Sequence, residues 1–436
     1  MSSIRLHLRR LSTVVGLCLV GPISGAARAD DAAMPTFYRD VLPILQDSCQ
    51  DCHRPSGTNF GGMVAPMSLL TYEEVRPWAR AIARQVSARE MPPWDADPAF
   101  HGVFANERTL SEEQIAAIRG WVAAGAPAGD AADAPPPRAF ASVGGWLHGL
   151  PDLVVDLPVA YEIGDAVADQ YTAFAVDLTP EMLPEDVYIQ GFQCKPGTDI
   201  VHHFNAHILY PDAEGRLPPP PDKPESATVA PQGAGMYLGG VSSGSGATMY
   251  PEGYGIPLRR GTRVTFDIHY HKEPGPGTRV VDRASQIGFY FTKEPPRSAV
   301  GGVSLFEFDI EIPPGVAEHR IGPIARPVPQ DSEIVALMPH MHMRGKRAKF
   351  EAFYPDGSHE VLLEVPTYDF SWQTVYYYET LKPVPEGTRI EYTAWYDNSE
   401  AYGALRGFDP TQTVRFGQAS TDEMTMGFVM LAPVVD

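Results

Sequence analysis

Residues 131–137 read Ala131-Ala132-Asp133-Ala134-Pro135-Pro136-Pro137. The stretch has no hydrophobic period and too little apolar content to enter a core, so it predicts a linker. The sequence changes character across it. Upstream, from Phe37 to about Ala126, the apolar spacing is helical, and Thr71 and Ser111 each precede a first turn carrying Glu or Gln, the pattern of a capped helix start. Downstream, short runs such as Asp186–Phe192, Arg263–Tyr270, Ile334–Leu337 and Arg389–Tyr396 are broken by Pro and Gly, which predicts sandwiches of antiparallel strands. Residues 212–259, rich in Pro, Gly and Ser without a clear period, read as a long loop insertion. A further boundary is placed at Lys293-Glu294-Pro295-Pro296.

A chain of 436 residues exceeds what one core ordinarily organises, so several are expected. At the start, Arg5, Arg9 and Arg10 precede the apolar run Val14–Val20, and Ala27-Arg28-Ala29 ends in a small-x-small pattern. This predicts a removable signal peptide over residues 1–29 and hence a periplasmic or otherwise exported protein. No later run approaches the roughly 18 to 20 apolar residues that a spanning helix needs, so no membrane span is expected. Net charge is −20, and the four arginines lost with the signal make it more negative still. Nucleic acid is therefore excluded as a partner, since phosphate binding needs a clustered cationic face.

Cys49-Gln50-Asp51-Cys52-His53 is the attachment pattern of haem c. Two thiols one helical turn apart can add to the two vinyl groups, and the following His reaches the iron. A redox dithiol is disfavoured by the adjoining His, and a zinc site by the lack of a second Cys pair. The helical region 35–130 is accordingly read as a small α-helical cytochrome c domain, joined by a linker at 131–150 to the β-rich remainder. Met63, Met67 and Met91 are candidates for the sixth iron ligand. Met91 is preferred, because Pro92 and Pro93 hold the backbone beside it extended and can present the thioether rigidly; Met67 is the reserve.

Outside that region the histidines cluster as His202-His203 with His207, His269 with His271, and His340 with His342. In His340-Met341-His342 the two-residue period of a strand puts both imidazoles on one face, where they can share a metal. Met424, in Asp422-Glu423-Met424, offers a thioether, and imidazole with thioether suits copper, including Cu(I), rather than magnesium or calcium. His202 and His203 are adjacent and can share one metal only if their strand is bent or bulged. With His269 they would make a three-nitrogen site. His207, His271, His319 and His359 are set aside, although spacing alone does not exclude His207 or His271. Cys194, without a partner in the sequence, is expected to be a buried small apolar residue.

Val201-His202-His203, Ile268-His269-Tyr270, Pro339-His340-Met341-His342 and Asp422-Glu423-Met424, in that order, resemble the copper motifs of the type II copper, ascorbate-dependent monooxygenases, the family of peptidylglycine α-hydroxylating and dopamine β-monooxygenases. The resemblance runs from about Asp152 to the C-terminus and includes Asp369-Phe370-Ser371-Trp372-Gln373 and Trp395-Tyr396-Asp397-Asn398-Ser399. It implies two all-β, jelly-roll-like sandwich domains, 151–295 and 296–436, each carrying one copper ion. It further implies that His202, His203 and His269 hold an electron-relay copper, and that His340, His342 and Met424 hold the catalytic copper that binds dioxygen. Three departures stand out: Leu337-Met338-Pro339 where the peptide enzymes have a carboxylate-gripping Arg, Asp267 where Gln is common, and Met426 and Phe428 where Asn and Tyr stand in the peptide enzymes. A peptide-amidating role is disfavoured and a more apolar pocket expected.

Together these readings predict a copper-dependent monooxygenase that hydroxylates a C–H bond of a small organic substrate with O2. Its cofactors would be two copper ions and one covalently attached haem c, supplied with electrons by an ascorbate-like reductant or a periplasmic redox protein. The rival reading is a non-enzymatic electron-transfer or copper-handling protein, suggested by the Met-rich stretch Met338–Met343. A zinc hydrolase ranks last, because Met is a poor zinc ligand.

Overall fold

Ile334-Val335-Ala336-Leu337-Met338 is an uninterrupted apolar run, and the strand Ser332–His340 that contains it is covered on both faces. In the computed structural model, which describes residues 34–55, 65–140, 145–220, 223–224, 235–241 and 247–435, this strand lies between Thr425–Pro433 and Tyr376–Val384 in a four-stranded sheet completed by Gly301–Glu307. Ile334 and Leu337 enter a core with Phe350, Tyr392 and Ala394 from the opposing sheet of strands 319–327, 389–396, 345–353 and 359–365. Val335, Ala336 and Met338 enter another core, built on Phe192, Phe204, Phe266 and Phe289. Burial on both faces is why the run does not alternate.

That other core fills the space between two more sheets. One orders strands 169–177, 263–271, 201–209 and 235–241, and the other is built around Val187–Lys195 with Gln286–Phe291 and Tyr254–Leu258 beside it. The stretch read as a loop insertion over 212–259 is thus partly strand. Gly235–Val241 pairs with Val201–Leu209, and Tyr254–Leu258 with Val187–Lys195. The glycines hid the pattern: a Cβ on Gly240 would sit 2.1 Å from the carbonyl oxygen of Phe204, so the strand must carry glycine where an alternating side chain would be sought.

The expected fold class, a small α-helical cytochrome c domain followed by two jelly-roll-like sandwiches, is corrected. The chain is mostly β, and the helices upstream of the strands are short: Leu42–Ser48, Tyr72–Val75, Ala79–Ser87 and Glu112–Ala123. They gather around Phe37, Leu45, Ile82, Ile118 and Trp121, and from Pro35 onward the chain packs as one unit, not as a separate helical domain and a β-rich remainder. Residues 94–106 show the cause. Ala96 and Phe104 are buried in the core of the Phe350 sheet pair, with Trp94 and Phe100 against it. Asp97 N–H donates to Glu364 O at 2.8 Å, Ala105 N–H to Tyr377 O at 2.8 Å, and Glu379 N–H to Val103 O at 3.0 Å. The proline-rich stretch after the last of these helices is also tied down, Gln46 Nε2 donating to Pro136 O at 3.0 Å and Arg138 pairing with Asp51 at 2.9 Å. Among the described residues no helix is long and apolar enough to cross a membrane. The predicted signal peptide and Met63 lie outside the described residues.

Candidate metal centre

The strand Val201–Leu209 runs antiparallel to Arg263–His271, and their register jumps between Val201, opposite Tyr270, and His203, opposite His269. The extra residue is His202. This bulge is the device that lets adjacent histidines turn to the same side. Ring centroids of His202 and His203 lie 4.3 Å apart, with His269 at 5.1 Å from the first and 5.5 Å from the second. One ring nitrogen from each of the three falls within 4.8 Å of the others.

Three buried ring nitrogens in this cluster, His202 Nδ1, His203 Nε2 and His269 Nδ1, have no hydrogen-bond partner. Buried polar atoms are ordinarily satisfied, so three orphans within one cluster of histidines fit a metal ion. The outward nitrogen of His269 is engaged: Nε2–H donates to Asp169 Oδ1 at 2.9 Å, which fixes the tautomer and leaves Nδ1 as the free lone pair. His271 Nδ1–H donates to the same oxygen at 2.9 Å. Tyr171 lies flat on the His269 ring, 4.0 Å between centroids and 9° between planes. Burial, with repulsion from His269 and His271, pushes His202 down to about 4, and burial holds His203 well below its ordinary value. Both are neutral imidazoles at neutral pH, the form that binds metal.

His340 ends the strand Ser332–His340, and His342 follows it, the two ring centroids 5.2 Å apart. His340 Nδ1–H donates to Gln373 Oε1 at 2.7 Å, and His342 Nδ1–H to Asp422 O at 3.3 Å, so both rings keep Nε2 for another partner. Burial pushes His340 down to about 4; burial, reinforced by His340, pushes His342 to about 3. Met424 is buried. Glu423 Oε2 accepts from the backbone N–H of both His342, at 2.8 Å, and Met424, at 3.2 Å, while Oε1 accepts from Arg344 N–H at 2.7 Å. One carboxylate thereby ties the Met424 backbone to that of His342. Burial pushes Glu423 up to about 8 against those three donors and the Arg344 charge. Arg344 holds the same loop from the other side, donating to Thr421 O at 2.7 Å and Asn398 Oδ1 at 2.9 Å.

The two histidine groups are neighbours. The Phe370 ring lies 5.7 Å from that of His203 and 5.5 Å from that of His342. Tyr171, stacked on His269, meets Ser420 at 3.3 Å through both its backbone N–H and its hydroxyl. His207 is buried against Tyr237, 3.7 Å from Asp267, away from the three-nitrogen cluster. Cys194 is buried in the core.

Cys49, Cys52 and His53 line a cavity of about 240 Å³ together with Met67, Met91, Arg108 and Trp372. His53 Nδ1–H donates to Met67 O at 3.3 Å, so Nε2 stays available. Burial pushes the Cys49 thiol up to about 12 and raises that of Cys52, which makes both poor nucleophiles and poor thiolate ligands at neutral pH. A dithiol redox centre is the worse fit, and thiols, imidazole and thioether facing one apolar cavity suit a covalently held porphyrin. Met67 and Met91 both reach the wall, and Met91 also borders a larger cleft of about 490 Å³. Sequence reasoning assigned no part to Asp169, Tyr171, Arg344, Phe370, Trp372, Gln373 or Glu423. The sequence signal for the last four was their place in the motifs around 369–373 and 422–424.

No family model matches the chain, and no curated protein does. Among solved structures it is similar to the STIV MCP, at 7% identity over 64% of this chain and 96% of that one, with a TM-score of 0.29. It is also similar to the major capsid protein P2 from Bacteriophage PM2, at 11% identity over 65% and 97%, with a TM-score of 0.24. Likeness this slight carries no conclusion about this chain.

Proposed function

We propose that this chain is an exported copper-dependent monooxygenase that hydroxylates a C–H bond of a small organic substrate with O2, with electrons arriving through a haem c. The observation that carries the reading is a cluster of three histidines with one ring nitrogen from each within 4.8 Å of the others and an unpartnered buried ring nitrogen on each, beside a second histidine pair. His202, His203 and His269 would hold one copper ion; His340, His342 and Met424 would hold the other; Cys49, Cys52 and His53, with Met91 or Met67, would hold the haem. When bound, copper supplies one-electron redox chemistry and activation of dioxygen, and haem supplies electron storage.

The residues of the chain prepare these sites. Asp169 and Gln373 each accept an N–H from a ligand imidazole, fixing which nitrogen faces inward. Burial keeps the four imidazoles of His202, His203, His340 and His342 neutral, so little proton release accompanies metal binding at neutral pH. Phe370 and Tyr171 place aromatic surface between and over the rings and exclude water, which favours an apolar substrate.

Elemental analysis of the purified full chain, combined with oxygen uptake over a panel of hydrophobic and aromatic compounds, tests the reading. Two coppers and one iron per chain with substrate-dependent uptake are expected. One loosely held Cu(I) that a chelator removes, with no uptake, would favour a copper-handling protein and sink the oxygenase.

A further inference from the structure

The five residues Asp369–Gln373 touch all three candidate sites. Trp372 forms part of the wall of the cavity that holds Cys49, Cys52 and His53. Gln373, the next residue along the chain, is 2% exposed and accepts the His340 Nδ1 proton at 2.7 Å. Phe370 stands between His203 and His342. The segment is pinned at several points. Arg406 Nη1 donates to Asp369 Oδ1 at 2.9 Å, Ser371 N–H to the same oxygen at 2.9 Å, and Trp372 N–H to Asp369 O at 2.8 Å. Gln373 Nε2 donates to Phe370 O at 3.3 Å, and the preceding Tyr368 hydroxyl to Met341 O at 2.9 Å.

We propose that Trp372 and Gln373 join the cysteine-lined cavity directly to the His340/His342 centre, so that an electron leaves the cavity for that centre without passing through His202, His203 and His269. This rests on the copper and haem reading above. The connection from the cavity wall to His340 runs along the covalent chain, through Trp372, the peptide bond and the Gln373 side chain, and crosses one hydrogen bond. Among the described residues, the three-histidine cluster meets the same segment where the His203 ring faces Phe370, across a non-bonded gap. Bonded and hydrogen-bonded links couple redox groups better than gaps do, so the short route ends at His340. The step would move one electron and no atoms: a haem held by Cys49, Cys52 and His53 would give up the electron, and a copper ion held by His340 and His342 would take it up. An external reductant restores the ferrous haem. The inference also separates the roles of the two histidine groups, since the three-histidine cluster is then not an obligatory stop on the way to the His340/His342 centre.

Flash photoreduction of the full chain, loaded with haem and Cu(II) under argon, tests this by following re-oxidation of the haem bands, with Cu(II) spin counted by freeze-quench electron paramagnetic resonance. In His203→Ala, haem re-oxidation should proceed at close to the parent rate. In His340→Ala it should be lost. Gln373→Leu should slow it at least about tenfold and alter the copper signal of the His340 site, and Gln373→Glu, which keeps an oxygen acceptor, should restore much of the rate. Trp372→Leu should slow it while leaving the copper signal unchanged. Loss of re-oxidation in His203→Ala with retention in His340→Ala would overturn the route, as would a Gln373→Leu protein with parent kinetics. A parent chain that holds no covalent haem or no copper would overturn the oxygenase reading and this route together, an outcome visible in the absorbance and metal content before any flash.

Discussion

Asp169→Ala separates the geometry of the three-histidine cluster from the mere presence of its nitrogens. Its Oδ1 accepts the Nε2 proton of His269 at 2.9 Å, which leaves Nδ1 as the unpartnered nitrogen of the ring. Burial would raise the Asp169 carboxyl, but hydrogen bonds from His271 and His269 hold it below its ordinary range, so it is the ionised acceptor at neutral pH. A hydrogen bond to a charged group contributes about 1.5 to 3 kcal/mol. The Asp169 side chain is 52% exposed, so water replaces part of it, and the lower end applies. Tyr171, stacked on the ring at 4.0 Å, still limits the ring's rotation. A loss of about 1.4 kcal/mol, or tenfold in copper affinity, is therefore expected in Asp169→Ala, at the gentle end of what orienting carboxylates contribute to metal sites. Asp169→Asn keeps an oxygen acceptor without its charge and should lose less. Competition against a chromophoric Cu(I) chelator, with metal content measured in parallel, gives the affinity and shows whether stoichiometry is unchanged. Unaltered affinity in Asp169→Ala would refute the orienting role, and a loss as large as that of His203→Ala would mean that Asp169 is itself a ligand.

Asp95 gives a pH prediction away from the ligands: burial, helped by Asp369 and opposed by Arg406, pushes its carboxyl up to about 7. The unfolded chain releases this proton near the ordinary carboxylate value, so Asp95 lowers stability as pH rises from about 4 to about 7, by at most about 4 kcal/mol. Asp95→Asn should flatten that part of the curve in denaturant titrations at a series of pH values, and an unchanged slope would contradict the assignment. Gly240→Ala should destabilise the fold by about 1 to 3 kcal/mol and weaken copper binding with it. Its new Cβ would press on the strand that carries His202 and His203. Wild-type denaturation and affinity would show that the strand relaxes freely. Met424→Leu keeps the side-chain volume, so stability should change by less than about 1.5 kcal/mol. Oxygen-dependent turnover should nevertheless vanish while haem absorbance remains, and retained turnover would remove Met424 from the ligand set.

The sequence makes the site more legible than the fold. His-x-His and Cys-x-x-Cys-His are read directly because their chemistry depends on spacing along the chain, and local geometry preserves that spacing. The helical period over Phe37–Ala126 was also legible, and Ser111 does cap Glu112–Ala123 with Gln114 completing the box. What the period could not show is where those helices stop being a unit of their own. Trp94 and Phe104 carry no helical spacing, and their partners Tyr376 and Tyr378 lie far away in sequence. Residues 212–259 failed for the opposite reason: at Gly239 and Gly240 the backbone itself approaches its neighbours, so the side-chain alternation that betrays a strand is missing.

The bulge at His202 lies between these cases. Adjacent histidines on a regular strand face opposite ways, so sequence alone could state only the condition under which both might share a metal. The register between Val201–Leu209 and Arg263–His271 meets that condition, and it does so next to the residues that hold His269 in place. The same logic applies on the other side of Phe370. There the Glu423 carboxyl, pushed up to about 8 by burial, accepts from three backbone N–H groups beside Arg344, fixing the loop that carries Met424 against the backbone of His342. Neither group of histidines is held by its own strand alone. Asp169 fixes the His269 ring, Gln373 the His340 ring and Glu423 the His342 backbone, each from elsewhere in the chain, which is why the ligands could be found from spacing while the residues that aim them required the fold.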